Sequence, residues 1–261
     1  MINFEKWHGN GNDFAIINSI ENKIKLNKSF IRKTADRNKG IGFDQLIHIG
    51  LPTKHDYDFF IRFYNSDGSE AGMCLNGIRC AASYIWNNKL APISNILVQT
   101  VNRKLKCAPK QKNKVSVLID PPQQISDEDE AYIKYISEKL FKNSFVNIES
   151  EGNLVRNIFL SNVGNNHLCI EFGSIEKIDL YSIYKQIYQI ARGMDLNVSI
   201  YCKSSEGIRI RTYENGIGET LSCGSASLCV AARFTGETGL PGRSRYLNDG
   251  RAKIISMGGE L

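Results

Sequence analysis

Gly68-Ser69-Glu70-Ala71-Gly72-Met73-Cys74, running on to Cys80-Ala81-Ala82, is answered later in the chain by Gly218-Glu219-Thr220-Leu221-Ser222-Cys223, running on to Cys229-Val230-Ala231. Each segment is a turn containing Gly and Glu, then a cysteine, then a stretch that reads as a helix, with Cys-x5-Cys followed by small residues. A second matched pair lies upstream. Gly11-Asn12-Asp13-Phe14 opens the apolar run Ala15-Ile16-Ile17, and Gly164-Asn165-Asn166-His167 opens Leu168-Cys169-Ile170, each reading as a turn into a strand. Asn12 precedes Cys74 by 62 residues and Asn165 precedes Cys223 by 58. Self-similarity at that spacing is longer than the roughly 20 to 50 residues of solenoid repeats and points to an internally duplicated domain.

The length of 261 residues suits two domains of ordinary size, and 42% hydrophobic with 23% charged residues is the composition of a globular protein with a substantial core. Strand-like runs at Phe14–Ile17, Gln45–Ile49, Asp58–Tyr64, Ile96–Val101, Leu105–Ala108 and Lys114–Ile119 accompany helical stretches at Ser29–Asp36 and Asn76–Asn87. Asp120-Pro121-Pro122 then interrupts the pattern, with Gln123-Gln124-Ile125-Ser126 completing a linker. The boundary expected is therefore 1–120 for a half carrying Cys74 and 121–261 for a half carrying Cys223. In the second half, acidic residues from Asp127 open a helix to about Leu140. Strands are expected at Val155–Val163, Leu168–Phe172, Val198–Lys203 and Gly207–Tyr213, and helices at Leu180–Arg192 and Gly224–Phe234. A last hairpin joins Ser244–Leu247 to Arg251–Ser256.

The net charge of +6 is spread out, its densest cluster Lys110-Gln111-Lys112-Asn113-Lys114 reading as a solvated hairpin tip. Without a basic stripe or interleaved aromatics, nucleic acid is not an expected partner. Met1–Phe14 lacks the apolar core of a signal peptide, and no run approaches the roughly 18 apolar residues of a membrane span, so a cytoplasmic protein is expected. Seven cysteines form an odd set that suits reduced thiols rather than a disulfide framework.

A cysteine at a helix start has its thiolate favoured by unpaired backbone N–H groups and the helix dipole, which lower a thiol pKa from about 8.5 to roughly 3.5–7.5. Two such groups, one per half, are suited to removing a proton from one face of a carbon and delivering one to the other, an inversion that needs no cofactor. Cys80, Cys107, Cys169, Cys202 and Cys229 read instead as small buried hydrophobes. Zinc ligands typically stand two to four residues apart, so Cys-x5-Cys does not read as a metal site. A thiol redox or metal-binding module is the reading from another class.

Six ordered runs carry a resemblance over nearly the whole chain: Lys6 to Phe14; Asp36-Arg37 through Gly40-Ile41-Gly42-Phe43-Asp44-Gln45; Asn65-Ser66-Asp67-Gly68-Ser69-Glu70; Cys74-Leu75-Asn76-Gly77-Ile78-Arg79-Cys80; Gly164-Asn165-Asn166-His167; and Glu214 through Ser225. Together they resemble the diaminopimelate epimerase family. The resemblance implies an α+β fold of two pseudo-symmetric domains, each a curled, mostly antiparallel sheet around a central helix, with the site in the cleft between them. It implies interconversion of LL- and meso-diaminopimelate on the route to lysine and peptidoglycan, without cofactor or metal. The partner is then a small amino-acid substrate, with a homodimer left open. It also implies that Cys74 and Cys223 are the base and acid, with His167 and Glu214 assisting proton transfer. Asn76 and the Gly224-Ser225 backbone would cradle the α-carboxylate, Asn12 and Gln45 would line the pocket, and Asn65, Asn165 and Asn197 would contact the far end of the substrate.

Four positions depart from the family pattern. Leu75 stands in place of glycine and would crowd the carboxylate cradle if that position needs positive φ. Asn215 stands where the family has an arginine for the distal carboxylate, Asn166 replaces a proline, and Ala226 replaces a glycine. The family pattern also continues through one more strand beyond Leu261. These departures spare the inverting cysteines and fall on the grip of the substrate. They leave open a racemase for an amino acid without a distal carboxylate, or one of broad specificity.

Overall fold

The computed structural model describes residues 2–21, 24–111, 114–122, 127–142, 155–191, 195–235 and 252–261. The chain forms two compact units that part between Asp120 and Pro121.

In the first unit the elements are β1 (Glu5–Gly9), β2 (Asn12–Asn18), α1 (Lys28–Ala35), β3 (Gln45–Gly50), β4 (Phe59–Asn65), β5 (Glu70–Ala71), α2 (Leu75–Asn87), β6 (Ile96–Gln99), β7 (Lys104–Pro109) and β8 (Val115–Leu118). The described strands join in the order β1-β2-β3-β4-β6-β7-β8, with β5 on β4. Neighbours are antiparallel except β2/β3 and β4/β6. Parallel neighbours need a crossover, and α1 and α2 supply the two. Asn27 starts α1 by accepting the Phe30 N–H on its side-chain oxygen.

Strand alternation gives each helix its own face of the sheet. Phe14 and Ile16 of β2, Ile47 and Ile49 of β3, and Ile61 and Phe63 of β4 pack with Ile78, Ala82 and Ile85 of α2. The intervening Ala15, Ile17, Leu46 and Tyr64 pack with Ile31 and Ala35 of α1. Helix α2 touches both β1 and β8, the two ends of the sheet, so the sheet curls around it.

The second unit contains α3 (Asp127–Lys142), β9 (Asn157–Asn162), β10 (Asn166–Glu171), α4 (Leu180–Ile190), β11 (Leu196–Ser204), β12 (Gly207–Glu214), β13 (Gly218–Thr220), α5 (Gly224–Thr235), β14 (Ile254–Ser256) and β15 (Gly259–Glu260). Its order is β9-β10-β11-β12-β14-β15, with β13 on β12. Parallel pairs again fall at β10/β11, across α4, and at β12/β14, across α5. The run of strand senses from β9 to β15 therefore repeats that from β1 to β7, with α4 answering α1 and α5 answering α2. Leu168, Ile170, Val198 and Ile200 pack on Ile183 and Ile187 of α4. Cys169 and Tyr201 face Ala226, Cys229 and Val230 of α5.

Strand β1 is not expected from the sequence; it forms because Asn10 and Gly11, at φ +52° and +84°, make a two-residue hairpin that pairs Gly9 with Asn12. Of the last expected hairpin, Ser244–Leu247 and the turn lie outside the described residues, as do Gln123–Ser126 of the linker. The strand around Arg251–Ser256 is described from Ile254 to Ser256, pairing with β12 and β15. Among the described residues no helix is long and apolar enough to cross a membrane.

Candidate functional site

In the first unit the candidate residues collect at one end of the sheet. Register aligns Phe14 with Gln45 and Gln45 with Asn65 across β2, β3 and β4, and Asn12 follows the β1–β2 turn at that same end. The chain leaves β4, forms β5, and arrives at Cys74, the N-cap of α2. The Cys74 carbonyl accepts the first helical bond from Ile78 N–H at 2.8 Å, and its Sγ accepts the Gly77 N–H at 3.4 Å. On its other side the Cys74 thiol donates toward Asn12 Oδ1 at 3.6 Å. Asn12 Nδ2 donates to Asp44 Oδ2 at 2.7 Å.

Gln45 Nε2 donates to Asn65 Oδ1 at 2.8 Å, leaving Gln45 Oε1 buried with no hydrogen-bond partner among the described residues. Asn65 is fixed further by its Nδ2, which donates to Ser69 Oγ at 3.0 Å. Asn76 is buried in the first turn of α2 and accepts from Arg79 Nη2 at 2.6 Å. Leu75 is the first residue of α2, and its φ is not positive: among described non-glycine residues only Asn10 and Lys89 have positive φ. The crowding expected at Leu75 on that account therefore has no backbone basis.

The second unit repeats the layout with different chemistry. Gly164, at φ +106°, turns the chain as Gly11 does, and Asn165 follows it on the surface. His167 of β10 stands opposite Asn197 of β11, and Glu214 ends β12 one step beyond the Val198–Tyr213 pair. His167 thus occupies the register position of Phe14, Asn197 that of Gln45, and Glu214 that of Asn65. His167 is fully buried, neither ring nitrogen has a partner among the described residues, and burial pushes its pKa down to about 3, so the ring is neutral. Glu214 Oε1 accepts from Thr220 Oγ1 at 2.6 Å. Cys223 is buried; its carbonyl accepts the Ser227 N–H that opens α5, and its Sγ lies 3.2 Å from Ser225 Oγ. Gly224 and Ser225 form the first turn of that helix.

Asn215 is fully engaged within its own unit. Its Oδ1 accepts from the Tyr184 hydroxyl at 2.6 Å, its Nδ2 donates to Asp195 at 3.0 Å, and its N–H bonds Asn197 Oδ1 at 2.9 Å. Arg211 is held by both carboxylate oxygens of Glu219 and by the carbonyls of Ile175 and Ile178. Arg156 pairs its backbone with Glu171, at the far end of β10 from Asn166. Ala226 is buried under the sheet.

The remaining cysteines are all buried. Burial pushes Cys80 up to about 11 and Cys107 and Cys229 up to about 12, and raises Cys169 and Cys202 as well. Sequence reasoning gave no role to Asp44 or Arg79, although both lie inside quoted motifs. The Asp44–Asn12 contact joins residues 32 apart and is set by strand pairing that no local pattern encodes, whereas Arg79–Asn76 is an i, i+3 pair on the expected helix.

Two curled mixed sheets, each packed on a helix, are the fold this chain shares with solved racemase and epimerase structures. A probable proline racemase from Agrobacterium radiobacter K84 matches with a TM-score of 0.61 at 12% identity, over 100% of this chain and 83% of that one. A hydroxyproline epimerase from Agrobacterium vitis matches at 0.59 and 10%, over 98% and 80%. In sequence, a family model described as diaminopimelate epimerase matches residues 4–125. The diaminopimelate epimerase of Coxiella burnetii is 33% identical over 100% of this chain and 90% of its own length, and that of a Psychrobacter species is 34% identical over 100% and 86%. The chain belongs to the diaminopimelate epimerase family, and with it to the amino-acid epimerases.

Proposed function

We propose that the protein inverts the α-carbon of an amino acid by two-thiol proton transfer, with LL- and meso-2,6-diaminopimelate as the substrate pair, in the cytoplasmic route to lysine and peptidoglycan precursors. The observation that carries the reading is that each half sets a cysteine at the start of its central helix, where the first-turn N–H groups have no intrahelical partner. Cys74 already receives one of these donors from Gly77. One cysteine, as thiolate, takes the α-proton; the other, as thiol, returns a proton to the opposite face, and the roles exchange with direction. The N–H groups of Leu75-Asn76 and Gly224-Ser225 suit a carboxylate and the charge that develops beside it when the proton leaves.

Neutral His167, whose two ring nitrogens have no partner among the described residues, and the Glu214 carboxylate supply the second half with groups for the substrate ammonium and its proton. Gln45 Oε1 offers the first an acceptor that is unpaired among the described residues. Asn65, Asn165 and Asn197 would contact the far end of the substrate.

A second reading, a racemase for an amino acid lacking a distal carboxylate, is favoured by one observation. Asn215 carries no charge and is bonded to Asp195, while Arg211 is consumed by Glu219. Exchange of the α-proton with deuterated solvent across a panel of L- and D-amino acids tests both. Deuterium in both diaminopimelate isomers is the expected result. Exchange confined to neutral or cationic amino acids assigns the second reading, and no exchange with any of them sinks the two together.

A further inference from the structure

The amide of Asn12 has a donor end and an acceptor end, and its orientation decides what Cys74 faces. Asp44 accepts hydrogen bonds and cannot donate as a carboxylate, so the end of Asn12 that meets it at 2.7 Å must be Nδ2. Asp44 is itself fixed on three sides: its Oδ2 also takes the Asp13 N–H at 3.0 Å, its Oδ1 meets Arg37 Nη2 at 2.6 Å, and its own N–H bonds Asp13 Oδ1 at 2.9 Å. Asp13 is anchored in turn by Arg37 and Lys6. Burial alone would raise the Asp13 pKa, but hydrogen bonds from Arg37 and Lys6 outweigh it and hold the carboxyl well below the usual range. Turning the Asn12 amide over would lose its bond to Asp44 and set its oxygen against a carboxylate that the ion pairs hold in place, so its Oδ1 is left facing the Cys74 sulfur.

An oxygen acceptor at that place rewards S–H and repels S⁻. The opposing influences come from α2. Gly77 N–H donates to the sulfur, and the Arg79 guanidinium, half-buried and bonded to Asn76 and Asn10 at 2.6 and 3.3 Å, is electrostatically coupled to Cys74. Cys80, the other titratable group on this stretch of helix, stays protonated.

We propose that Asp44 is a positioning residue for Cys74: by locking the Asn12 amide it holds the thiol in its hydrogen-bond-donating form, so that the resting protein presents Cys74 as the proton donor. The catalytic meaning rests on Cys74 being a proton carrier, but the thiol can be read directly. The measurement is the pH dependence of Cys74 alkylation by iodoacetamide in the full chain, followed by mass spectrometry of the peptide that carries it.

Asp44→Asn frees the amide to turn and offer N–H to the sulfur, so the midpoint should fall by about one pH unit and the rate at pH 7 should rise roughly tenfold. Asn12→Ala, which spares the Asp13–Arg37–Asp44 ion pairs and serves if Asp44→Asn does not fold, should also lower the midpoint. In the Asn12→Ala background, Asp44→Asn should add little, because its route to Cys74 is gone. Full additivity in that double-mutant cycle would mean that Asp44 acts by charge alone and would overturn the proposal, as would an unmoved midpoint in either single variant. Absent α-proton exchange together with these shifts would refute the epimerase reading while leaving the role of Asp44 in place.

Discussion

Cys74 and Cys80 stand six positions apart, yet differ in what decides a thiol's chemistry. Cys74 caps α2 and is partly exposed; Cys80 is inside the sheet, burial pushes its pKa up to about 11, and a side chain at Gly9 would press on its sulfur at 3.1 Å. Cys74→Ala should therefore abolish inversion at the α-carbon, because one face loses its proton carrier, while circular dichroism stays native. Cys80→Ala should lose about 1 kcal/mol of stability through packing, with kcat in the folded fraction nearly unchanged. Turnover surviving in Cys74→Ala would assign the chemistry to another group. At Asn215 the expected effect is on specificity. Supplying a guanidinium by Asn215→Arg should improve kcat/KM for diaminopimelate by about ten- to a hundredfold, the size of a charge-assisted hydrogen bond of roughly 1.5–3 kcal/mol. Asp195, already bonded to this side chain, competes for the new cation, so the gain should be larger when Asp195→Asn accompanies it. An unchanged preference between diaminopimelate and neutral amino acids in both variants would show that position 215 does not meet the substrate's far end.

The start of helix α2 depends on a close approach as well as on its cap. A Cβ built on Gly77 would lie 2.5 Å from Phe63 Cε1 and 3.3 Å from Phe14 Cε1, two rings fully buried between sheet and helix. Alanine gains up to about 1 kcal/mol of helix propensity over glycine, but overpacking a filled core costs about 1–3 kcal/mol. Gly77→Ala should then destabilise the fold by about 1–2 kcal/mol in urea titration, and it should slow catalysis too, because the same residue's N–H meets Cys74 Sγ. A variant that is more stable and equally active would show that the rings give way freely. This glycine was legible only as part of a motif, since the rings it avoids come from β2 and β4. The helices themselves were readable within one or two residues, as at Lys28–Ala35 and Leu75–Asn87, because their apolar positions repeat at helical spacing. Strands β5 and β13, two and three residues long, carry too few alternations to register.

At the scale of the molecule the duplication was legible in the matched cysteines and Gly-Asn turns, while the shared order of parallel and antiparallel neighbours was not. Alternation tells which face a residue occupies and nothing about which strand lies beside it. That matching positions carry unlike chemistry is written in the two Gly-Asn segments, but not that both residues are buried. Phe14 and His167 occupy the same register point in the two halves, both fully buried, one apolar and one titratable. That difference has a consequence for stability. The unfolded chain protonates His167 near 6.5, whereas burial holds the folded ring neutral down to about 3. Between those values the unfolded state binds the extra proton, so stability falls as pH drops from 6.5 toward 3 and is unaffected by this group above about 7.5. Replacing His167 by the residue its counterpart uses, His167→Phe, should flatten that acid limb by a few kcal/mol between pH 6.5 and 4, whatever it does to the value at neutral pH. The slope isolates the proton from any misfit of the larger ring, because packing costs do not vary with pH. Urea midpoints for both proteins across that range test this, and parallel slopes would mean that His167 takes up its proton in the folded protein over the same pH range as in the unfolded chain.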